Sequence, residues 1–339
     1  MPKLLVVSLN FRTAEMTLRS VRSALAAMDG LEAELVLVDN DSGDGSFDVM
    51  QTELATADWA QGAPVRLIAS AHNGGFGAGN NVGMRAGWSD GSKPDYVYLL
   101  NSDAFPAPDA IRELLTHLER HPEAGFAGSY IYGEDGTPHM TAFRFPSVWS
   151  ELEGSIRFGP VSRLLRTKPV PMGLIEETQP VDWLAGASIM MRQSVLDDIG
   201  LFDEEFFLYF EETDLCLRAA RAGHETHYVR SSHVEHIGSV STGMKVWTRI
   251  PGFWLDSRWY YFSKNHGRGY AVMATVMHTV GGLFWRLRCF IQRKPPSDPP
   301  HFLRDLVFHD VQSMVRPLPA QRIAAAPLSG PSAAEGLTG

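Results

Sequence analysis

Residues 1–130 repeat one unit, in which a continuous apolar run is followed by a polar turn and then by a helical pattern. Val and Leu runs that are apolar at every position suit strands covered by helices on both faces. Strands joined in this way run parallel, with right-handed crossovers. The expected strands are residues 4–10, 34–40, 65–70 and 96–101. The pattern predicts an α/β fold with a mostly parallel central sheet flanked by helices.

Composition narrows the class of protein. The chain has 339 residues, 44% hydrophobic and 20% charged, which is enough for a large globular core. The net charge of -9 argues against nucleic-acid binding, because such surfaces carry excess Lys and Arg. Two distant cysteines, Cys216 and Cys289, favour a reduced cytosolic compartment. Residues 1–4 lead directly into a strand pattern, so we expect no signal peptide and a cytoplasmic protein.

Polar turns follow the predicted strands and should meet at one edge of the sheet, where ligands of α/β proteins bind. Asn10 begins the first turn, and Asp39 and Asp41 lie in the second, "VDNDSGDGS". A carboxylate at a strand end can accept hydrogen bonds from a nucleobase or from ribose hydroxyls. An ordinary Asp- and Gly-rich loop is the alternative.

The third turn, "HNGGFGAGNNVG", contains Asn73 and Gly74 and is dense in glycine, which lets the backbone approach a ligand closely. It lacks the third glycine of the dinucleotide fingerprint and follows the third strand instead of the first. The first turn has no glycine, so a nucleotide-dependent oxidoreductase is disfavoured.

The fourth strand stops abruptly on Asn101, Ser102 and Asp103. Asp103 therefore stands where a metal or phosphate ligand is expected. An Asx-turn or helix-capping role is the alternative for an Asp after a strand.

A second group of acids begins a helix after an aromatic run at residues 206–210. Glu211, Glu212 and Asp214 suit the positive end of a helix dipole, and Asp214 is spaced to pair with Arg218. Helix stabilisation alone explains the acids, but an apolar surround would also make a carboxylate a better proton acceptor.

Two histidines, His233 and His236, are expected on a loop after a strand at residues 225–229. A single histidine is usually structural. An imidazole nitrogen beside a carboxylate is also a reasonable pair of ligands for a divalent metal.

Together these stretches resemble the inverting GT-A glycosyltransferases of family 2, in particular the rhamnosyltransferase-like branch, over residues 3–265. The matching motifs are "VVSLNFRTAEMTLRSVRSAL", "LVLVDNDSGDGS", "NGGFGAGNNVGMRAG", "YLLNSDAFPAPDAI", "DWLAGASIMMRQSVLDDIGLFDEEFFLYFEETDLCLRAARAG" and "HVEHIGS". The resemblance implies transfer of a sugar such as rhamnose from a dTDP- or UDP-linked donor to a glycan or polyprenyl-diphosphate-linked acceptor in cell-surface polysaccharide synthesis. It also implies Mg²⁺ or Mn²⁺ as cofactor.

The resemblance implies a role for each matched residue. Asp39, Asn73 and Gly74 would lie near the nucleobase, with Asn10 and Asp41 in the same site. Asn101, Ser102 and Asp103 would lie near the ribose and pyrophosphate. Asp103 would hold the metal, His236 would be a ligand of the metal or of the pyrophosphate, and Trp183 and Gly186 would face the acceptor. Glu212 would be the general base, with Glu211 beside it.

Two positions depart from the family pattern. Asn101 replaces the first Asp of the Asp-x-Asp metal motif, and Glu212 replaces the Asp of the usual Glu-Asp pair. The second departure keeps an inactive sugar-nucleotide or glycan-binding module as the alternative function.

We divide residues 1–240 into a nucleotide-sugar-binding half (1–130) and an acceptor half (131–240). A helical region is expected over 241–316, where Arg258 and Lys264 would contact the donor diphosphate or lie on a solvated amphipathic face. The apolar run at 271–285 is shorter than the ~20 residues that span a bilayer. It fits an interfacial helix on the cytoplasmic face of the inner membrane, or a buried helix. Residues 317–339 should be disordered.

Overall fold

The computed structural model describes residues 1–238, 248–295 and 298–326. In its first part, the four predicted strands form with ends within one residue of those expected. The elements are β1 (Leu4–Asn10), α1 (Ala14–Ala27), β2 (Ala33–Asp39), α2 (Ser46–Thr56), a 3-10 turn (Asp58–Ala60), β3 (Val65–Ala69), α3 (Phe76–Ala86) and β4 (Tyr96–Asn101).

The rest of the chain adds shorter strands, one long strand and most of the helices. They are β5 (Ala104–Pro106), α4 (Ala110–Arg120), β6 (Ala124–Tyr132), β7 (Ala142–Phe143), α5 (Val148–Ile156), α6 (Gly159–Leu164), β8 (Gln179–Val181), β9 (Trp183–Leu184), β10 (Ser188–Arg192), α7 (Gln193–Ile199), α8 (Glu211–Arg221), β11 (Glu225–His236), α9 (Gly252–His266), α10 (Arg268–Gln292) and α11 (Phe302–Val315).

A nine-stranded sheet forms the centre of the molecule, in the order β3-β2-β1-β4-β10-β6-β11-β5, with β8 also paired to β11. The strands β3, β2, β1 and β4 are parallel, as predicted, and so are β6 and β11. The strand β10 runs antiparallel to both of its neighbours. Alternate residues of β1 enter cores on opposite faces of the sheet, which explains why the strand is apolar at every position.

One edge of this sheet collects the polar turns, and we call it the polar edge. It contains the carboxyl ends of β1, β2, β4 and β11 and, because β10 is antiparallel, the turn that precedes β10. The predicted convergence of the turns is therefore confirmed by the strand pairing.

Two histidines lie in a different setting from the one expected. The strand β11 continues to His236, so His233 and His236 belong to the strand and not to a following loop. Irregular register between Val229 and His233 lets the strand stay paired with β6 past the expected end at Val229.

The C-terminal helices pack onto the body of the molecule. Gly281 of α10 lies against α5, where an added Cβ would stand 2.1 Å from Ser155 Oγ. The predicted boundary between residues 240 and 241 falls outside the described residues. In the part of the chain that the structure describes, no helix is both long and apolar enough to cross a membrane.

Residues 322–326 pack against the body of the molecule, in contrast to the disorder predicted for residues 317–339. The amide of Arg322 donates to Asp203 Oδ1 at 2.9 Å, and the amide of Leu201 donates to the carbonyl of Ala324 at 3.0 Å. Backbone groups of this segment thus find partners on the turn before α8, and Ala326 is buried. The remainder of the predicted tail, residues 327–339, lies outside the described residues.

Candidate active site

Asp39 ends β2 with its carboxylate held by short polar side chains. Its Oδ1 accepts hydrogen bonds from Asn10 Nδ2 at 2.7 Å and from Ser42 Oγ at 2.6 Å, while Oδ2 accepts from the amide of Ser42 at 3.1 Å. Asp41, two residues later, is exposed and has φ of 53°. The structure therefore brings Asn10 and Asp39 together, and it adds Ser42, which sequence reasoning did not single out.

The glycine-rich turn lies beside this carboxylate group. Asn40 Nδ2 donates to Asn73 Oδ1 at 3.0 Å, and the same oxygen accepts from the amide of Gly75 at 3.0 Å. Gly74 lies between them, with an ideal Cβ only 2.7 Å from the Cβ of Ala78. Asn40 was missed because an Asn within an Asp-rich loop carries no distinctive signal.

Gly75 joins this turn to the loop that precedes α8. Its φ is 90°, and a Cβ at this position would lie 1.8 Å from the carbonyl oxygen of Phe207. The same carbonyl accepts the amide of Phe76 at 3.0 Å. Only glycine fits here, because both the backbone conformation and the contact exclude a side chain.

The end of β4 brings Asp103 to His236. β5 pairs with β11 so that Ala104 is opposite His236, and His236 Nε2 lies 3.0 Å from Asp103 Oδ1. Ser102 and Asp103 are buried. The backbone amide of Asn101 donates a hydrogen bond to the carbonyl of Ala187 at 3.0 Å.

These two side chains are of the kinds that bind a divalent metal. In the structure Asp103 Oδ1 and His236 Nε2 form a hydrogen bond of 3.0 Å, and two neighbouring ligands of an octahedral ion with bonds of ~2.1 Å would have the same separation. His139, which sequence reasoning missed, lies nearby with its ring centroid 6.3 Å from that of His236. It comes from a turn after β6 whose sequence has no recognisable motif.

The acids at the start of α8 follow a strained segment. Tyr209 and Phe210 both have φ of 69°, in the left-handed region that side chains rarely adopt. Strain of this kind persists only where the surrounding structure enforces it, often next to functional groups.

Glu212 is half-buried and points toward the turn before β10. Its Oε1 accepts a hydrogen bond from the amide of Gly186 at 3.1 Å, and an added Cβ on Gly186 would stand 2.7 Å from that oxygen. Burial raises the pKa of Glu212 above its usual value. Glycine at position 186 therefore leaves room for the Glu212 carboxylate. The carbonyl of the next residue, Ala187, accepts a hydrogen bond from the backbone amide of Asn101.

Glu211 occupies a different environment from Glu212. Its side chain is buried, and among the described residues its Oε2 has no hydrogen-bond partner. Burial, and then the neighbouring Glu212, raise the pKa of Glu211 well above its usual value. Burial and the adjacent carboxylate therefore both disfavour the charged form of Glu211.

Trp183 stands on the same segment as Gly186. It stacks on Phe143 with ring centroids 4.3 Å apart, and its Nε1 donates to the carbonyl of Arg144 at 3.0 Å. Trp183 is partly exposed and belongs to β9, where it pairs with Phe143 of β7.

Arg258 and Lys264 lie outside this group of residues, contrary to the diphosphate-binding role considered from the sequence. Arg258 is 1% exposed and pairs with Glu151 at 2.8 Å and Asp310 at 3.1 Å. The helix α9 is covered on several sides, so cations in its aromatic sequence meet carboxylates of the protein itself.

Lys264 Nζ lies 2.8 Å from Asp203 and 2.7 Å from Asp214. Asp214 also forms the predicted pair with Arg218, at 3.0 Å. Lys264 thus fixes the helix that begins with the two glutamates.

The mixed sheet with its polar turns is the fold of solved GT-A glycosyltransferases. The chain belongs to glycosyl transferase family 2, whose family model matches residues 5–200. This match ends before α8, so it does not extend to Glu212 or His236.

Relatives with curated names include rhamnosyltransferases. The N-acetylglucosaminyl-diphospho-decaprenol L-rhamnosyltransferase of Mycobacterium tuberculosis is 34% identical over 191 residues, covering 53% of this chain and 61% of that protein. Rhamnosyltransferase WbbL of Escherichia coli K12 is 30% identical over 165 residues, covering 48% and 60%. The chain spans about three-fifths of the length of these relatives.

Solved structures share the fold at low sequence identity. The mannosyltransferase PcManGT of Pyrobaculum calidifontis, solved with GDP-Man and Mn²⁺, has a TM-score of 0.53 at 13% identity, covering 93% of this chain and 81% of its own. Residues 1–349 of TarS from S. aureus, solved with UDP-GlcNAc, also give 0.53 at 13% identity, covering 94% and 82%.

Proposed function

We propose that this chain is an inverting glycosyltransferase that moves a sugar, with rhamnose the first to test, from a dTDP- or UDP-linked donor to an acceptor hydroxyl. The observation that carries the proposal is the fixed position of Glu212 at Gly186, one residue from the contact between Ala187 and Asn101. These two hydrogen bonds connect Glu212, whose pKa is raised, to the part of the polar edge where we propose that the donor binds.

The reaction can be written in terms of this chain's own groups. Glu212 accepts the proton of the acceptor hydroxyl while the oxygen of that hydroxyl forms a bond to the anomeric carbon of the donor sugar. The bond from that carbon to the diphosphate breaks on the opposite side, so the configuration inverts and the nucleoside diphosphate leaves. The raised pKa brings the carboxylate closer to the basicity that proton transfer near neutral pH needs.

The donor site is proposed at Asn10, Asp39, Asp41 and the turn with Asn73 and Gly74. Asp39 Oδ2 receives a single hydrogen bond from within its own loop, so it keeps capacity to accept one from a nucleobase N–H. Asp41 has a positive φ, and Gly74 carries no side chain, so the backbone of these turns can come close to a nucleoside.

The diphosphate is proposed to lie at Asn101, Ser102 and Asp103. Asp103 and His236 would hold Mg²⁺ or Mn²⁺, as their 3.0 Å spacing supports. Such an ion, when bound, offsets the charge on the departing diphosphate. The Mn²⁺ in the PcManGT complex supports a metal in this fold.

The acceptor is proposed to be a glycan or a polyprenyl-diphosphate-linked sugar in cell-surface polysaccharide synthesis, at Trp183 and Gly186. The partly exposed aromatic surface of Trp183 suits stacking on a sugar ring. The name of the mycobacterial relative includes a decaprenol-linked acceptor, and this supports the choice.

A lipid-linked acceptor also requires contact with a membrane surface, for which we propose the outer face of α10. Exposed apolar residues recur along it at helical spacing, forming what we call the α10 stripe: Met273, Val276, Val280, Leu283, Leu287 and Phe290. Arg293 and Lys294, both exposed, follow at its end. An apolar stripe ending in cations complements the anionic cytoplasmic leaflet of a membrane.

The proposal is tested by finding the donor. We would measure the melting temperature of the full chain against a panel of nucleotide sugars, with and without Mn²⁺. An activated donor should raise it, because a ligand that binds only the folded state stabilises that state.

Two variants then separate binding from chemistry. Asp39→Ala should lose affinity for UDP or dTDP in calorimetric titration, whereas Glu212→Gln should keep it, because a general base acts mainly in the transition state. Equal losses in both variants would contradict the assignment. Donor binding without transfer to any acceptor would favour the binding module.

A further inference from the structure

Three histidines meet at the edge of the sheet opposite the polar edge. His117 and His121 stand one turn apart at the end of α4, and His227 lies near the start of β11. His117 Nε2 is 2.9 Å from His227 Nδ1, and one ring nitrogen of each residue lies within 4.8 Å of the others.

Carboxylates hold two of these imidazoles from behind. Glu225 Oε2 lies 2.8 Å from His227 Nε2, and Glu123 Oε1 lies 2.9 Å from His121 Nδ1. A carboxylate that accepts one ring N–H leaves the other nitrogen as a lone-pair donor, and this is the usual support of a metal-binding histidine. The nitrogens so left are Nδ1 of His227 and Nε2 of His121.

The third imidazole, His117, packs directly against the other two. Its Nε2 lies 2.9 Å from His227 Nδ1, and its ring stacks on that of His121 with centroids 4.3 Å apart. The imidazole nitrogen of histidine is a common metal ligand. A single hydrogen bond between two of these rings cannot satisfy the lone pairs of all three.

We propose that His117, His121 and His227 bind Zn²⁺, with water as a fourth ligand. Imidazole nitrogen is a better ligand for Zn²⁺ than for Mg²⁺, because Mg²⁺ prefers oxygen ligands. Tetrahedral ligands with bonds of ~2.0–2.1 Å lie ~3.3 Å apart, so a small rotation of His117 from its present 2.9 Å contact would admit the ion.

The zinc would join the end of α4 to the start of β11. It would be separate from the sugar-transfer site, since His227 and His236 stand nine residues apart on β11, or roughly 30 Å at ~3.3 Å per residue. We therefore expect a stabilising role and no part in the transfer reaction.

The test is calorimetric titration of Zn²⁺ into the full chain after removal of metals by a chelator. His121→Ala removes a partly exposed ligand and should weaken zinc binding at least ~100-fold, since loss of a supporting group alone costs 10–100-fold. His233→Ala, which removes an exposed histidine elsewhere on the same strand, should leave it unchanged. Zinc should raise the melting temperature of the full chain and of His233→Ala, but not that of His121→Ala.

Two further measurements protect the interpretation. The titration is repeated in His236→Ala, because zinc that disappears there but persists in His121→Ala would belong to the other site and would overturn the proposal. X-ray absorption of the zinc-loaded unmodified chain should show three imidazoles and one oxygen, whatever the stability of the variants. Equal zinc affinity in His121→Ala and the unmodified chain would also overturn it.

Discussion

At the scale of single residues, Glu211 and Glu212 show how adjacent identical side chains acquire different properties. Residues one position apart on a helix point about 100° apart. Glu211 therefore faces the interior and is 1% exposed, whereas Glu212 reaches the amide of Gly186. Burial raises both pKa values, and the neighbouring Glu212 raises that of Glu211 further.

We predict that Glu212→Gln lowers the transfer rate by ~10²–10⁴, the usual cost of losing a general base. The amide keeps the size of the side chain and removes its basicity. The measurement is the rate of transfer with an identified donor and acceptor, and Glu211→Gln is the matched control. A near-normal rate for Glu212→Gln with loss in Glu211→Gln would move the base by one residue.

We predict that Glu211→Gln changes how stability depends on pH. Between the ordinary carboxyl pKa of 4.5 and the raised value, folded Glu211 holds a proton that the unfolded chain releases. The free energy of unfolding of the unmodified chain should therefore fall, relative to that of the variant, as pH rises through this window. Below the ordinary carboxyl pKa the difference between the two proteins should no longer change with pH. Denaturant titrations at several pH values measure it; parallel curves for both proteins would contradict it.

At the scale of secondary-structure elements, Arg258 connects α9 to α5 and α11. Arg258→Met should lower the free energy of unfolding by about 3–5 kcal/mol, because Glu151 and Asp310 lose the cation that compensates their burial. Nucleotide affinity should persist, which separates this role from donor binding. Arg249→Met, which breaks an exposed pair with Asp305, is the control and should cost less than about 1 kcal/mol.

Local periodicity is sufficient to predict β1 to β4 and the polar edge, because each strand is apolar throughout and ends in a polar turn. The same reasoning does not determine whether a cation in an aromatic helix faces solvent or an acid distant in sequence. Arg258 pairs with residues more than fifty positions away, and no local pattern encodes that distance. His139 reaches His236 only through long-range pairing, and so does His227 reach the local pair His117 and His121.

At the scale of the whole molecule, the α10 stripe leads to a prediction about membrane contact. Leu287→Glu together with Phe290→Glu should reduce co-sedimentation with vesicles containing anionic lipid at least ~10-fold, since both apolar area and cationic attraction contribute to binding. Leu164→Glu changes an exposed apolar residue outside the stripe and should have little effect.

Two observations would oppose this view of the α10 stripe. Binding to vesicles that is equal in all three proteins would remove the stripe from the contact. Self-association of the unmodified chain in sedimentation velocity, abolished by the paired substitution, would identify a second copy of the chain as the partner.

The close approach of Gly75 to Phe207 restricts how this protein can be recombined with its relatives. The donor half and the catalytic loop share a backbone contact that leaves no space for a side chain. A chimera that imports residues 1–130 from another family member, to change its sugar nucleotide, would have to import the loop at residues 203–210 as well. If residues 1–130 select the donor, as proposed, an exchange of this half would have to preserve its contact with a loop that is distant in sequence.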